Sequence, residues 1–363
     1  MKILHVITSL RTGGAEKLMV GLLPKLRDLG NEVELLLFDG VDTPFCQQLE
    51  KSNIKIHVIR IGGSVYDPRN ILYLRKIVNN YQIIHTHNTS PQLYAALAKS
   101  LTPKSDTLLV TTEHNTTNRR RDNILFKPID KWMYRQYAKV ICISEQAEIN
   151  LRRYLNDDSS KICTIYNGIN FARFSESSNP SLNRHDSHIV VTMVAAFRKQ
   201  KDQATLIRAI SLLPKSIHLQ LVGDGDGELI DNCKSLVRQL NVSDRVSFMG
   251  MRTDVSEILH SSDIVVLSSH YEGLSLSSLE GMASGKPFVA SDVDGLREIV
   301  NGYGLLFPHE DAKSLADIIL KLSEDQAYAE EIASRCQARA RQFDITVMAQ
   351  KYNEVYRELI ATK

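Results

Sequence analysis

The sequence predicts an α/β protein built from two tandem, Rossmann-like, doubly wound domains. The chain has 363 residues, and at roughly 150 residues per domain this length suggests two domains. Short apolar runs alternate with longer segments of helical periodicity, which is typical of βαβ units. Most of the short runs are continuous in Val, Ile and Leu, as expected when both faces of a parallel sheet are covered.

The first domain is predicted to span residues 1–175. Its first apolar run carries one basic residue and is followed by Arg11-Thr12-Gly13-Gly14, so we interpret it as a strand and not as a signal peptide. The predicted strands are Lys2–Thr8, Glu32–Phe38, Lys55–Ile59, Ile83–Thr86, Thr107–Thr112, Val140–Ser144 and Ile162–Tyr166. The predicted helices include Ala15–Leu29, Asn70–Asn79 and Pro91–Leu101.

A polar stretch separates the two series of strands. Residues 176–187 are polar with Pro180 in the middle, and we predict a linker there. A long surface loop within one domain is the alternative. The second domain is predicted at 188–342, with strands Ile189–Ala195, His218–Val222, Val246–Met249, Ile264–Ser268 and Pro287–Ala290 and helices Gln203–Leu213, Glu228–Leu240, Leu276–Ser284 and Leu296–Val300. Residues 343–363 are helical by pattern, and Tyr352 and Tyr356 share one helical face.

Composition excludes several classes of protein. No stretch approaches the ~18 apolar residues of a membrane span, and a net charge of +2 gives no reason to expect nucleic-acid binding. The charge is unevenly distributed along the chain. Residues 1–185 carry 25 basic and 17 acidic residues, whereas residues 186–363 carry 19 basic and 25 acidic residues. The five cysteines show no CxxC spacing, which favours buried thiols in a reducing compartment over a zinc site.

Two parts of the first domain are candidates for ligand contact, since ligands of open α/β sheets bind at the carboxyl ends of the strands. Gly13 and Gly14 open a helix and permit close approach of a ligand to the backbone, although a plain turn is equally consistent. His85 and His87 lie where the fourth predicted strand ends, and His114 follows the fifth. A metal site is disfavoured because no third ligand is evident, and hydrogen bonding to a polar ligand is favoured over burial in the core.

Loops of the second domain carry charged candidates. Arg198 and Lys201 precede a helix and suit an anionic group such as a diphosphate, with a solvated basic turn as the alternative. The Asp224-Gly225-Asp226 stretch is predicted to be a turn with an acidic helix cap and not a metal site. Glu272 and Glu280 lie eight residues apart. They suit hydrogen bonds to sugar and ribose hydroxyls, with backbone N–H groups between them for phosphate; two surface glutamates are the alternative.

These motifs, in this order and over nearly the whole chain, resemble the family 4 retaining glycosyltransferases, which have two Rossmann domains in the GT-B architecture. Glu272 and Glu280 match the E-x7-E signature of that family, and Gly281–Pro287 matches its usual continuation. The other matching segments are Gly13–Glu16, Tyr166–Asn170 and Val222–Gly225. The resemblance implies that the domains face each other across a central cleft and that the C-terminal helix crosses back to the first domain.

The resemblance also implies roles for single residues. Glu272 would contact the donor sugar, Glu280 the ribose, and His114 would lie beside the reacting sugar. The diphosphate would be contacted by Arg198 and Lys201, and by the backbone of Gly273, Leu274 and Ser275. Donor phosphate or acceptor would lie near Gly13 and Gly14. The base would be contacted by Met249, Gly250 and Arg252. Two departures stand out: Ser275 replaces the family's frequent Gly, and Ala195-Ala196 replaces its usual Gly-Arg before the basic loop.

The implied reaction is transfer of a hexose or N-acetylhexosamine from a UDP- or GDP-linked donor, with retention of configuration and without a metal or other cofactor. The expected acceptor is a glycan or lipid-linked glycan in surface polysaccharide or glycoconjugate synthesis. A non-hydrolysing sugar-nucleotide epimerase of the same fold and a catalytically silent sugar-nucleotide-binding protein are the alternatives. The absent GxGxxG motif disfavours a nicotinamide dehydrogenase.

A basic segment of the first domain suggests where the acceptor arrives. Arg119–Arg121 is followed by basic residues at a spacing of four, with apolar residues between them: Lys127, Lys131 and Arg135, and Ile124, Leu125, Phe126, Trp132 and Met133. Such a basic amphipathic stretch suits peripheral contact with an anionic membrane, and a solvated basic face is the equal alternative. We therefore expect a cytoplasmic protein with a peripheral position on the inner face of the membrane.

Overall fold

The computed structural model describes residues 1–11, 13–62, 64–114, 126–176 and 188–363. The chain forms two compact units, one of Met1–Gly168 with Ile345–Lys363 and the other of Ile169–Asp344. Each unit is an α/β structure around a parallel sheet, so the predicted fold class is confirmed. The predicted linker lies outside the described residues apart from Glu176, as do Arg119–Arg121, Ile124 and Leu125 of the basic segment.

The first unit contains a parallel sheet of seven strands among the described residues. The strands are β1 (Lys2–Ile7), β2 (Glu32–Asp39), β3 (Lys55–Arg60), β4 (Ile83–His87), β5 (Leu108–Glu113), β6 (Lys139–Cys142) and β7 (Ile162–Thr164), in the spatial order β3-β2-β1-β4-β5-β6-β7. Its helices in this part of the chain are α1 (Gly14–Asp28), α2 (Pro44–Lys51), α3 (Arg69–Ile77), α4 (Thr89–Ser100), α5 (Lys127–Arg135) and α6 (Glu145–Leu155).

The second unit contains a parallel sheet of six strands within the residues described. The strands are β8 (Ile189–Val194), β9 (Ile217–Val222), β10 (Val246–Gly250), β11 (Ile264–Leu267), β12 (Phe288–Ser291) and β13 (Leu305–Phe307), in the order β10-β9-β8-β11-β12-β13. The helices are α7 (Phe171–Ser175), α8 (Gln203–Ser211), α9 (Gly227–Gln239), α10 (Val255–Ser261), α11 (Leu276–Ala283), α12 (Arg297–Val300), α13 (Ala312–Glu324) and α14 (Gln326–Arg341).

The last helix, α15 (Ile345–Ala361), belongs to the first unit and packs against α1. The side-chain amide of Asn31 donates to Oδ1 of Asn353 at 2.9 Å in a buried hydrogen bond. Tyr352 and Tyr356 are fully buried and pack edge to face. Their hydroxyl groups hydrogen-bond with Thr112 at 3.1 Å and with His85 at 2.5 Å, so the tyrosine face of this helix is bonded to the sheet of the first unit.

Side-chain capping explains where the elements begin and end. The predicted strand Val140–Ser144 ends at Cys142, because Ser144 caps α6 and accepts from the amide of Ala147. The predicted turn with an acidic cap is confirmed, since Asp226 caps α9. Strand β13 is too short to show a pattern of its own and was missed. No helix among the described residues is both long and apolar enough to cross a membrane.

Each sheet has a point where the strand order reverses. In the first unit that point lies between β1 and β4, and in the second unit it lies between β8 and β11. Loops that leave such strands at their carboxyl ends diverge and leave a crevice that binds ligands in open α/β sheets. The candidate loops after β1, β8 and β11 therefore lie at these reversal points.

Candidate functional site

The strongest candidate site in the second unit joins two loops, the basic loop (Ala195–Asp202) and the glutamate loop (Ser268–Ser275). Nζ of Lys201 donates to Oε1 of Glu272 at 2.5 Å, and the two side chains are 15% and 5% exposed. A backbone hydrogen bond of 2.8 Å from His270 to Gln200 runs beside this ion pair. The structure therefore brings together two residues predicted for one site from different parts of the sequence.

Further contacts hold the carboxylate of Glu272 in place. Ser269 Oγ donates to Oε1 at 2.6 Å, and the side-chain amide of Gln200 donates to Oε2 at 3.2 Å. Gly295, with φ +82°, packs against the backbone carbonyls of Glu272 and Gly273 so closely that any Cβ would overlap them. Ser269, Gln200 and Gly295 were missed from the sequence, because nothing in their spacing connects them with Glu272.

Arg198 lies in the same basic loop as Lys201, but its environment differs from that of Lys201. Its side chain is exposed, and its guanidinium makes no hydrogen bond or ion pair within the part of the chain that the structure describes. The loop is supported by Gly223 at φ +145°, where a Cβ would overlap the carbonyl oxygen of Ala195. Arg198 is therefore a cation held on a well-packed loop and available to an anion.

The remaining part of the E-x7-E motif lies at the start of α11. Ser275 is the N-cap residue, yet its hydroxyl bonds to Ser277 at 2.9 Å and caps no backbone amide. The side chain of Leu274 is buried, so it can serve a ligand only through the backbone. Glu280 is 3% exposed and lies one turn inside the helix. The first turn of α11 thus offers uncapped amides between the two glutamates.

The residues predicted for the base lie at the end of β10, next to β9 in the sheet. The amide of Gly223 donates to the carbonyl of Gly250 at 2.9 Å. Gly223 also packs against Ala195, so it connects the end of β10 with the basic loop. Met249 is half-buried. Arg252 is bound by Asp254 through two bonds of 2.8 and 2.5 Å, and this partner raises the pKa of Arg252.

Gly13 and Gly14 lie where the first unit's β1 leads into α1. Gly13 is the N-cap residue and has an extended backbone, and Gly14 is the first helical residue. A Cβ on Gly14 would meet nothing within 4 Å among the described residues. Packing therefore does not require a glycine at this position, which leaves room for a ligand beside the backbone.

His114 is half-buried and lies at the end of a chain of histidines that continues with the buried His87 and His5. Its Nε2 is 2.9 Å from Nδ1 of His87, whose Nε2 is 3.0 Å from Nδ1 of His5. Burial lowers the pKa of His114 to about 4 and that of His5 to about 3, and the pKa of His87 falls well below its usual value. All three rings are therefore neutral near pH 7, and the bond from His87 leaves Nδ1 as the second polar atom of His114.

The expectation that His85 and His87 bind a polar ligand is wrong. Both rings are fully buried, because β4 lies in the middle of a sheet with both faces covered. His85 bonds to Tyr356 and, at 2.8 Å, to Thr112. The structure also supplies a third histidine that the sequence did not reveal, since the ring nitrogens of His5, His85 and His87 lie within 4.8 Å of one another. Their rings are nearly parallel and most of these nitrogens are hydrogen-bonded, which fits a neutral network better than a shared ion.

Asn88 is a further residue that the sequence did not reveal. It follows His87 with φ +70° and ψ 162°, a region that residues with a side chain rarely occupy. Its amide donates to Thr8 Oγ1 at 3.1 Å and so joins the loops after β1 and β4. Strain of this kind at a strand-order reversal is typical of a functional loop.

The described part of the basic segment is helix α5. Phe126 and Ile129 are 42% and 45% exposed, and Lys127 and Arg135, at the two ends of the helix, are also exposed. Met133 is fully buried and Trp132 packs against the core, so the idea that these two contribute to a membrane face is wrong. The basic side chains of Lys131, Arg135 and Lys161 also line a cavity of about 320 Å³.

Comparison with known proteins agrees with this architecture. The model of Glycosyltransferase Family 4 matches residues 12–173, and that of glycosyl transferases group 1 matches residues 174–343. Among solved structures, HepE of Anabaena in complex with UDP has a TM-score of 0.86 and 24% identity, over 99% of this chain and 100% of that one. That likeness shows the fold.

Two curated relatives match most of the chain. UDP-Gal:alpha-D-GlcNAc-diphosphoundecaprenol alpha-1,3-galactosyltransferase of Escherichia coli is 25% identical, over 82% of this chain and 81% of its own length. N,N'-diacetylbacillosaminyl-diphospho-undecaprenol alpha-1,3-N-acetylgalactosaminyltransferase of Campylobacter jejuni is 27% identical, over 93% and 94%.

Proposed function

Since this chain belongs to the family 4 glycosyltransferases of the GT-B fold, we propose that it transfers a sugar from a nucleoside diphosphate sugar to a lipid-linked glycan, with retention of configuration. The observation that carries the proposal is the ion pair of Lys201 and Glu272 at the strand-order reversal, with exposed Arg198 on the same loop. These groups match the two halves of such a donor, a diphosphate and a polyhydroxyl ring.

Charge explains how the donor would be held. A nucleoside diphosphate brings negative charge to a basic loop on which, among the described residues, Arg198 is an unpaired cation and Lys201 is paired with Glu272. Oε2 of Glu272 accepts only from Gln200 among the described residues, so it has capacity for a sugar hydroxyl. Donor binding would draw Lys201 towards phosphate while sugar hydroxyls donate to Glu272. The uncapped amides at the start of α11 would add hydrogen bonds to phosphate.

The proposed reaction follows from these groups. The bond between the anomeric carbon and the diphosphate oxygen breaks, and a bond to the acceptor oxygen forms on the same face of the sugar. The acceptor proton passes to the departing phosphate oxygen, so no glutamate becomes covalently attached. Arg198 and Lys201 stabilise the charge that develops on the leaving group. Neutral His114, with its pKa lowered to about 4 by burial, positions the donor sugar by hydrogen bonding.

The names of the relatives narrow the substrates. The Escherichia coli relative uses UDP-Gal, and HepE was solved with UDP, so a UDP-linked hexose or N-acetylhexosamine is the first donor to test. Both curated relatives are named for acceptors on diphosphoundecaprenol. We therefore propose a polyprenyl-diphosphate-linked acceptor, reached at the cytoplasmic face of a membrane through α5.

A donor panel tests the proposal. The wild-type chain is expected to gain thermal stability with one UDP-sugar and to form product only when a polyprenyl-diphosphate-linked glycan is added. Arg198→Gln should weaken donor binding, whereas Lys199→Gln, a neighbouring exposed cation, should not. If an epimerised nucleotide sugar formed without acceptor, the chain would be an epimerase and not a transferase. Donor binding with no turnover on any acceptor would indicate a silent binding protein, and no response to any donor would contradict the proposal.

A further inference from the structure

We propose that His270, His309, Glu310 and Asp202 form a binding site for a divalent transition-metal ion, with zinc as the best fit. The four residues lie in the second unit, in loops after β8, β11 and β13. None of them belongs to the groups to which the resemblance assigns a role. The inference is independent of the proposed sugar transfer and can be tested without an activity assay.

The distances between the donor atoms match a metal site. Nδ1 of His270 is 2.7 Å from Nε2 of His309 and 3.4 Å from Oε1 of Glu310, and the third side of the triangle is 4.0 Å. Zinc binds nitrogen and oxygen at ~2.0–2.2 Å in a tetrahedron, which places neighbouring ligand atoms roughly 3.4 Å apart. The three atoms therefore need to move by a few tenths of an ångström to share one ion.

Asp202 supplies an independent observation that points to a ligand. Its Oδ1 accepts from the amide of Thr205 and caps α8, but Oδ2 is buried without a hydrogen-bond partner. The side chain is 7% exposed, and Oδ2 lies 3.9 Å from Nδ1 of His270. An unpaired buried carboxylate oxygen is costly, and a cation between Asp202 and His270 would satisfy it. Asp202 lies beside the group of His270, His309 and Glu310, whose ligand atoms fall within 4.8 Å of one another, and its carboxylate would have to turn towards the ion to serve as the fourth ligand.

The chemistry of the ligands favours zinc over magnesium or calcium, because two imidazoles suit transition metals and hard cations prefer oxygen. Access is open, since the side chains of His309 and Glu310 are 39% and 62% exposed. The other histidine cluster, of His5, His85 and His87, is fully buried, and all of its ring nitrogens except Nε2 of His5 are hydrogen-bonded, so an ion could not reach it without breaking these bonds.

A metal here would act on the candidate donor site through its loops. Asp202 directly follows Lys201, and His270 precedes Glu272 by two residues. An ion bound to both, and to His309 and Glu310 after β13, would fasten the basic loop and the glutamate loop to a third loop. The proposed role is to stabilise these loops, and it requires no metal at the transferred sugar.

Zinc titration of the full-length, tag-free chain by calorimetry tests the site. We expect one site in the wild type, with zinc affinity reduced at least tenfold in His309→Gln and Glu310→Gln. His188→Gln is the matched control, because it removes an exposed histidine that packs on His218 and has no third ligand among the residues that the structure describes. Zinc should raise the unfolding temperature of the wild type and of this control, but not of His309→Gln.

Cobalt substitution adds a spectroscopic readout. Intense visible bands of tetrahedral cobalt that disappear in His309→Gln would support the ligand set. The proposal is overturned if wild-type chain binds no zinc at micromolar concentration, or if His309→Gln and His188→Gln bind it equally. Weak bands of six-coordinate cobalt, or a thiolate charge-transfer band, would also overturn it. Both histidines to be replaced are exposed, so circular dichroism should show all variants folded.

Discussion

Lys201 Nζ lies 2.5 Å from Glu272 Oε1, and this ion pair is largely shielded from solvent. Desolvation makes a lone buried charge costly, so each partner depends on the other when no ligand is bound. A donor diphosphate would offer Lys201 a new partner at the moment when sugar hydroxyls reach Glu272. On the proposed function, the same contact would serve folding in the free protein and recognition in the complex, and matched variants can separate the two roles.

The first prediction concerns catalysis by this pair. Glu272→Gln and Lys201→Gln should each lower kcat/KM for sugar transfer by about 100-fold or more, as expected when one preorganised charge contact is lost. Lys199→Gln changes the same charge in the same loop but removes no bond found in the structure, so its kcat/KM should stay near that of the wild type. A Glu272→Gln protein with an unchanged transfer rate would remove Glu272 from the catalytic groups.

The second prediction concerns stability of the same pair. Each single substitution leaves a buried partner unpaired and should lower the unfolding free energy of the second unit by about 3 kcal/mol. The double variant Lys201→Gln with Glu272→Gln should lose clearly less than the sum of the two single effects, because the partners are in contact. Urea unfolding of the four proteins measures this coupling. Strict additivity would show that the ion pair contributes nothing to folding.

The third prediction uses the open space at Gly14. Gly14→Val should leave thermal stability nearly unchanged and should lower sugar transfer at least about tenfold, because the new side chain would occupy the space proposed for donor or acceptor. Gly227→Val is the control, since Gly227 also begins a helix and a Cβ added there would likewise meet nothing within 4 Å in the described part of the chain. Equal activity of the two variants would argue against a ligand beside Gly14.

The fourth prediction concerns acid stability of the first unit. Burial depresses the pKa values of His5, His85, His87 and His114. Below pH ~6.5 the histidines of the unfolded chain bind protons, whereas in the folded chain these rings stay neutral to much lower pH, with the pKa of His114 at about 4 and that of His5 at about 3. Stability is therefore complete above pH ~6.5 and falls as the pH drops, by up to roughly 1.4 kcal/mol per pH unit for each histidine.

Urea unfolding at pH 7.5 and 5.5, about one unit either side of the ordinary histidine pKa, measures this slope. His87→Gln removes one of the four groups and should flatten it by roughly a quarter. His188→Gln, outside this network, should leave it unchanged. Parallel slopes for all three proteins would contradict the assignment of acid sensitivity to the buried histidines.

The fifth prediction concerns membrane contact through α5. Replacing Lys127, Lys131 and Arg135 with Gln should weaken co-sedimentation with anionic vesicles by about 100-fold at low salt, since each basic residue near such a surface contributes roughly 1 kcal/mol. Neutralising Arg119–Arg121 should weaken it in the same salt-sensitive way. A triple Gln variant with the same charge change on the second unit, at Lys215, Arg238 and Lys313, is the control. Equal loss in this control would indicate a general charge effect and no docking surface.

The sequence by itself determined the two parallel α/β units and the loops that carry the candidate site. Uninterrupted apolar runs require strands covered on both faces, and parallel strands place all their carboxyl ends at one edge. The boundaries of β1 and α11 were predicted to within a residue or two because polar caps and apolar periodicity are local signals. Glu272 and Lys201 were identified as members of one site, although not as partners of each other.

Only the tertiary structure decided which distant side chains touch. Lys201 and Glu272 are 71 residues apart, His5 and His87 are 82 apart, and His85 meets Tyr356 across 271 residues. Such pairs depend on strand order, on register and on the rotamer of each side chain, and none of these leaves a periodic trace in the sequence. Burial of β4 on both faces likewise turned His85 from an expected ligand contact into part of the core. Local chemistry therefore specified the elements, and packing between them decided which polar groups remain available to a substrate.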